Sequence, residues 1–174
     1  LTVPVYNNGT ITSSSGTIEL NDGGTHSGTF TANSGATILF DGNTHTWNDG
    51  LELDGSGSVE IRSGTVTVAD AATISSTVTS FLVSGGTLND GTLGSGMINT
   101  SYLNWTGGTL GVESGITVSI ALQITGSTGK YMNNGLLNLT GSGTWDDGDI
   151  RMDYGSIFTI SSASTLEIEG DTYI

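Results

Sequence analysis

The densest group of acidic side chains in the sequence lies at residues 146–153 and comprises Asp146, Asp147, Asp149 and Asp153. Calcium takes about six to eight hard oxygen ligands, and aspartate carboxylates supply many of them in proteins. The spacing matches neither the EF-hand loop nor the glycine-rich nonapeptide of calcium-binding β-rolls. Aspartate also shapes turns and keeps surfaces soluble. We expect a solvated turn here, with a calcium site as the alternative, and we predict no other cofactor.

Two histidines could contribute to a transition-metal site. His26 and His45 are 19 residues apart, and Asp41 lies close to the second. Two imidazoles and a carboxylate can bind such a metal. Both histidines, however, stand in threonine-rich segments that are typical of turns, THSGT and NTHTW. A solvated or capping role is therefore the expectation for both.

Catalytic chemistry finds little support in the residue types. Only three side chains are basic, Arg62, Lys130 and Arg151, and the formal net charge is -14. A lyase for acidic sugars needs a base and a cation, and a surface of this charge repels a polyuronate. Glycosidases need two carboxylates about 5 to 10 Å apart, but the 17 acids make chance pairs uninformative. Neither histidine lies in a recognisable nucleophile motif. We expect that the protein is not an enzyme.

Aromatic side chains are the remaining candidates for a ligand site. Trp47 and Tyr102 could stack on a sugar, and a groove that joined one of them to paired carboxylates would indicate a carbohydrate-binding or carbohydrate-cleaving β-helix. Trp105 and Trp145 are expected in the core, because each lies three residues before a repeating glycine. The same position in other repeats is apolar, at Leu20, Leu39, Ile61 and Val83.

Composition sets the fold class that must position these residues. The 174 residues include 28 Gly, one Pro and no Cys, so disulfides and thiolate metal sites are excluded. The negative charge disfavours nucleic acid and anionic membranes as partners, and no apolar run is long enough to insert into a bilayer. Short β-branched runs separated by Gly, Asn, Asp and Ser predict strands and turns. The protein is therefore expected to be all-β.

Glycines recur with steps of 19 to 22 residues, at Gly23, Gly42, Gly64, Gly86, Gly108, Gly129, Gly148 and Gly170. Two positions after these glycines, an apolar column is expected at Val66, Leu88, Leu110, Tyr131 and Ile150. A helix-free repeat of this length fits one coil of a parallel β-solenoid. We predict a single right-handed solenoid domain over residues 1–174, with about eight coils of roughly 21 residues and a length of roughly 40 Å. Residues 1–8 would be an N-terminal cap or edge strand, and residues 9–174 the coils.

Residues 88–110 (LNDGTLGSGMINTSYLNWTGGTL) and 63–75 (SGTVTVADAATIS) resemble known repeats. They are similar to repeats of filamentous-haemagglutinin-like and autotransporter-passenger-like β-solenoids on bacterial surfaces. The resemblance implies export, an extracellular or cell-surface location, an adhesive or structural role, and no catalytic residue. It also implies that the chain is a segment or a processed product.

The sequences at the two termini indicate how the coils could associate with partners. Near the start, Pro4 has no N–H to donate and is typical of an edge strand. The last residues, STLEIEGDTYI, remain strand-like without a polar cap. We expect these coils to stack either on neighbouring coils of a longer chain or end to end on another molecule. The predicted function is a non-enzymatic extracellular rod, serving as an adhesin stalk or as a fibre subunit, with glycans as a further candidate partner.

Overall fold

The computed structural model describes residues 1–169, and all regular secondary structure in that range consists of β-strands. Most strands have three to five residues. They are short because turn residues interrupt them, and several turns adopt positive φ, as at Asn43 and Asn134. Such backbone conformations suit Asn and Gly. No helix in residues 1–169 is long and apolar enough to cross a membrane.

The strands form three faces. The first face contains β1 (Val5–Asn7), β4 (Gly24–His26), β7 (Thr44–Trp47), β10 (Thr65–Val68), β13 (Thr87–Asp90), β15 (Gly108–Gly111), β17 (Lys130–Asn133) and β20 (Ile150–Asp153), hydrogen-bonded in that order. The second face contains β2 (Thr10–Ser13), β5 (Thr29–Ala32), β8 (Glu52–Asp54), β11 (Thr73–Ser76), the first half of β14 (Met97–Trp105), the first half of β16 (Ile116–Ile124), β18 (Leu136–Leu139) and β21 (Ile157–Ile160). The third face contains β3 (Gly16–Leu20), β6 (Ala36–Phe40), β9 (Ser58–Ile61), β12 (Ser80–Val83), the second halves of β14 and β16, β19 (Ser142–Trp145) and β22 (Thr165–Ile168).

All of these pairings are parallel and join each strand to its counterpart one coil away. Thr65 pairs with Thr87, for example, and Thr10 pairs with Thr29. β14 and β16 each run through two faces, and their pairing shifts register between Thr100 and Tyr102. The predicted all-β parallel solenoid, with coils about 21 residues apart and about eight turns, is confirmed.

The interior consists of apolar columns that run along the stack. One column on the third face comprises Leu20, Phe40, Ile61, Val83, Trp105, Ile124, Trp145 and Ile168. Trp105 and Trp145 are buried in it, which confirms their predicted core position. Phe40 takes the place expected for Leu39, because Leu39 pairs with Glu19 and Glu60 in the outward-facing column.

The column predicted on the first face is right in its middle and wrong at one end. Val66, Leu88 and Leu110 are buried and stack as expected. The next residue in the stack is Met132, whereas Tyr131 points outward and is 46% exposed. Gly108 pairs with Lys130, so the turn before β17 is one residue longer than an alignment on Gly129 implies. Ile150 is buried but stacks on Lys130.

Many outward-facing positions carry small polar side chains. On the first face, Thr44, Thr65, Thr87 and Thr109 form one column across four coils. The first coil begins with β1, an edge strand that lies within residues 1–8. Gly170 of the glycine repeat and the last residues of the strand-like C-terminus lie outside the described residues.

Candidate functional site

The acidic turn between β19 and β20 is fixed by hydrogen bonds of its own. The Trp145 indole donates from Nε1 to the Gly148 carbonyl at 2.8 Å, and the Gly148 amide donates to Asp147 Oδ1 at 2.7 Å. Gly148 has a φ of 78°, which only glycine adopts readily. The aspartate at position 147 therefore stabilises the turn, in line with the turn-forming role expected from its residue type.

A buried cation of the protein lies beside this turn. Lys130 is fully buried, and its ammonium donates to the carbonyl oxygens of Gly126 at 2.5 Å, Thr128 at 3.3 Å and Asp147 at 3.3 Å. Burial lowers the pKa of Lys130, and the negative charges of Asp147 and Asp149 oppose that shift. In the sequence, Lys130 stands out only as one of three basic residues. Nothing in its local motif shows that it faces inward.

The four aspartates considered as calcium ligands are not brought together as one ligand set. Asp153 pairs with Arg151, with Nε and Oδ2 2.9 Å apart, on the exposed edge of the last strand of the first face. Within residues 1–169, no three side chains of His, Cys, Asp or Glu converge as a metal site. Calcium binding at Asp146, Asp147, Asp149 and Asp153 stays a prediction for a titration to test.

His26 and His45 lie in the core. Their rings stack with centroids 5.4 Å apart, and both side chains are fully buried, so the expected solvated position is wrong. Phe30 and Phe40 contact them edge-on. Each histidine follows its strand's inward alternation, a register that their threonine-rich surroundings concealed.

Hydrogen bonds set the tautomers of this pair. His45 Nε2 lies 3.2 Å from the Leu20 carbonyl, which can only accept, so this nitrogen carries the hydrogen. His45 Nδ1 then accepts from His26 Nε2 at 3.1 Å. His26 Nδ1 is left buried without a hydrogen-bond partner. Burial lowers the pKa of His26 to about 4, with a further contribution from His45, and burial also lowers the pKa of His45.

Asp41 is directed to the surface and pairs with Arg62, away from the histidines. The Arg62 guanidinium bridges Asp41 and Glu19, the second at 2.6 Å. Hydrogen bonds from Arg62 and Ser63 lower the pKa of Asp41. The metal set of two histidines and Asp41 is therefore not assembled.

The two aromatic candidates for a sugar site lie in different environments. Trp47 is fully buried against Phe40 and Phe81, so its indole offers no face to a sugar. Tyr102 is half-buried on the third face and pairs with Ala121, which lines a shallow groove of about 340 Å³. Gln123, Ser142, Thr144, Thr165 and Glu167 also line this groove. Glu167 is the one carboxylate among them, whereas glycosidase chemistry needs two.

The two ends of the stack expose apolar side chains. At the C-terminal end of the described chain, Ile160 is 45% exposed and Ile168 is 53% exposed, although both occupy inward-facing columns. At the N-terminal end, a groove of about 540 Å³ is lined by Leu1, Ile11, Thr17, Ile18 and Glu19. Both ends of the described coils therefore expose apolar side chains.

Comparison with known protein families, curated proteins and solved structures gave no significant match.

Proposed function

We propose that the protein is a non-enzymatic, extracellular structural and adhesive rod on the bacterial cell surface, either the stalk of an adhesin or a subunit that assembles head to tail. The observation that carries this proposal is the continuity of the buried column on the third face through seven successive coils, from Leu20 to Trp145. A coil cannot bury its apolar stripe alone, so the stack acts as one elongated body.

The chemistry of the surface supports the same role. Many outward positions carry hydroxyl groups, as in the column from Thr44 to Thr109. The net charge of -14 keeps such a rod soluble and repels nucleic acid. The sequence pattern of residues 63–75 and 88–110 supports a filamentous-haemagglutinin-like or autotransporter-passenger-like identity. Such an identity would place the protein outside the cell.

Small-angle X-ray scattering of the purified chain tests the rod. Eight coils at a rise of about 4.8 Å predict a length of roughly 40 Å and a uniform cross-section. Negative-stain images with and without calcium should show the same particle width. A spherical particle, or a particle width that depends on calcium, would contradict a rod held by its own core.

A carbohydrate-binding role is the second candidate, and the observation that favours it is the groove beside Tyr102. We expect a glycan screen of the wild type to show binding that Tyr102→Ala removes. Tyr131→Ala is the matched control, since Tyr131 is exposed on a different face. Equal binding by both variants would show that Tyr102 takes no part in glycan binding.

A further inference from the structure

The histidine pair bridges two neighbouring coils. His26 lies on β4, in the coil of β4, β5 and β6, whereas His45 lies on β7, in the coil of β7, β8 and β9. The hydrogen bond between His26 Nε2 and His45 Nδ1, at 3.1 Å, therefore crosses the interface between these two coils. We call this interface the histidine joint. Its main-chain register places His26 beside Trp47 and Gly24 beside His45.

The joint accepts both histidines only as neutral rings. His45 Nε2 donates to Leu20 O, and His45 Nδ1 is the acceptor for His26. A proton on His45 Nδ1 would set two N–H groups against each other at 3.1 Å. A proton on His26 Nδ1 would place a charge on a buried atom that has no hydrogen-bond partner. A buried charge without a partner is costly, and two like charges across the joint repel each other.

The surroundings of the pair supply no opposite charge. Of the titratable groups in residues 1–169, only His45 faces His26. The other side chains that face the pair come from β1, β5, β6 and β7 and are uncharged, namely Asn7, Phe30, Phe40 and Trp47. The acids on the adjoining strands and turns have partners elsewhere: Glu19 and Asp41 pair with Arg62, Asp22 accepts from Asn43, and Asp49 accepts from the Thr73 N–H.

A surface ion pair crosses the same joint. Arg62 follows β9 and pairs with Asp41, which follows β6. Hydrogen bonds from Arg62 and Ser63 lower the pKa of Asp41, so this ion pair keeps its charges at pH 5. The ion pair therefore stabilises the joint at both neutral and mildly acidic pH. The histidines are the part of the joint whose charge changes in that range.

We infer that the histidine joint is a proton-sensitive switch of the rod, and that acidification opens the stack locally between the coil of β4 to β6 and the coil of β7 to β9. Each coil of a solenoid contacts only its neighbours, so a cost at one interface acts there first. The coils from β10 onward contain no histidine. In the opened joint water reaches both rings, so they are charged without the cost of burial. Such a switch goes beyond the proposed rod function and does not depend on whether the rod is a stalk or a subunit.

Amide hydrogen exchange at pH 7 and pH 5, corrected for the intrinsic pH dependence of exchange, tests the joint. The pKa of His26 is lowered to about 4 in the folded chain, against about 6.5 when exposed, so opening should become about twenty-fold more frequent at pH 5. Exchange in β4 and β7 should accelerate by that factor, whereas exchange in β16 should not. Equal acceleration in β7 and β16, or none in β7, would overturn the local switch.

Two variants separate the charging of the histidines from a general weakening of the joint. The double variant His26→Leu, His45→Leu should lose the acceleration between pH 7 and pH 5. Arg62→Gln removes the ion pair with Asp41, so it should speed exchange at the joint by the same factor at both pH values. Acceleration by acid that persists in the double variant would overturn the role of the histidines.

A second readout leaves the histidine pair unchanged. The chain contains no Cys, so a single cysteine at a buried position reports local opening through its rate of thiol labelling, normalised to a free thiol at each pH. Val59→Cys places the thiol in the joint, where Val59 stacks on Ile38, and Val118→Cys is the matched control on β16; both valines are fully buried. Labelling at position 59 should rise about twenty-fold from pH 7 to pH 5, with no change at position 118. Equal changes at the two positions would overturn local opening. Scattering at pH 7 measures the rod separately, so a failed switch leaves the proposed function standing.

Discussion

At the scale of single residues, the His26–His45 pair is the most consequential polar feature of the core. Its hydrogen bonds run from His26 through His45 to Leu20 O and satisfy three of the four ring nitrogens. A proton added to His26 Nδ1 would find no acceptor, since that atom is buried without a partner. The pair is therefore stable only in its neutral form.

This arrangement predicts that acid destabilises the fold. The pKa of His26 is lowered to about 4 in the folded chain, below its value of about 6.5 when unfolded, so the unfolded chain binds more protons between these limits. Stability is fully present above pH 6.5 and falls as the pH drops toward 4, by about 3 kcal/mol for His26. Urea unfolding at several pH values measures this fall.

The control for that prediction is the double variant His26→Leu, His45→Leu. Acid also neutralises carboxylates, which relieves repulsion in a chain of net charge -14 and acts in the opposite direction. The difference between wild type and variant isolates the histidines. An equal pH dependence in both proteins would contradict the assignment of the loss to this pair.

Lys130 gives a second prediction for a single residue. Lys130→Met keeps an unbranched apolar stem but removes the donors that satisfy the carbonyls of Gly126, Thr128 and Asp147. Leaving such acceptors unpaired should lower the free energy of unfolding by about 1 to 3 kcal/mol. Chemical denaturation measures the change, with Arg151→Met as the control because Arg151 is exposed. A Lys130→Met variant as stable as the control would show that the carbonyls find other donors.

At the scale of strands, the inward and outward alternation can be tested on neighbouring residues. Leu110→Asp buries a carboxylate in the column of Val66 and Leu88 and should cost several kcal/mol of unfolding free energy. Thr109→Asp changes the adjacent, outward position and should cost less than about 1 kcal/mol. Equal destabilisation by the two variants, measured by urea unfolding, would mean that the strand register is wrong.

Two turn glycines distinguish the effect of a positive φ from the effect of close packing against the neighbouring coil. Gly108 has a φ of 80°, and a Cβ there would lie 2.3 Å from Gly86 O, whereas Gly35 has a φ of 74° with open space around it. Alanine at Gly35 should cost about 1 kcal/mol through its backbone alone. Alanine at Gly108 must also push the neighbouring coil away, so its loss should be larger. Thermal unfolding of both variants, with Gly9→Ala as an unstrained reference, would contradict this view if all three agreed.

Strand type and repeat length were predictable from the sequence because they depend on local alternation and on turn glycines. The exact register was less so: one residue more or less in a turn moves a side chain to the other face, as at Tyr131 and Met132. The burial of His26, His45 and Lys130 was missed for the same reason. Their polarity suggested solvent, whereas their position in the strand directs them inward.

At the scale of the whole molecule, stability depends on the contacts between neighbouring coils. A central coil is covered on both sides, so Phe81 and Leu103 are fully buried, whereas the coil of β21 and β22 exposes apolar side chains. In a stack of this kind, unfolding begins at the ends and proceeds coil by coil. Amide hydrogen exchange in the free chain should therefore be fastest at the ends and slowest near β12. Uniform protection along the chain would contradict this nearest-neighbour account, because it requires that the coils unfold as one unit.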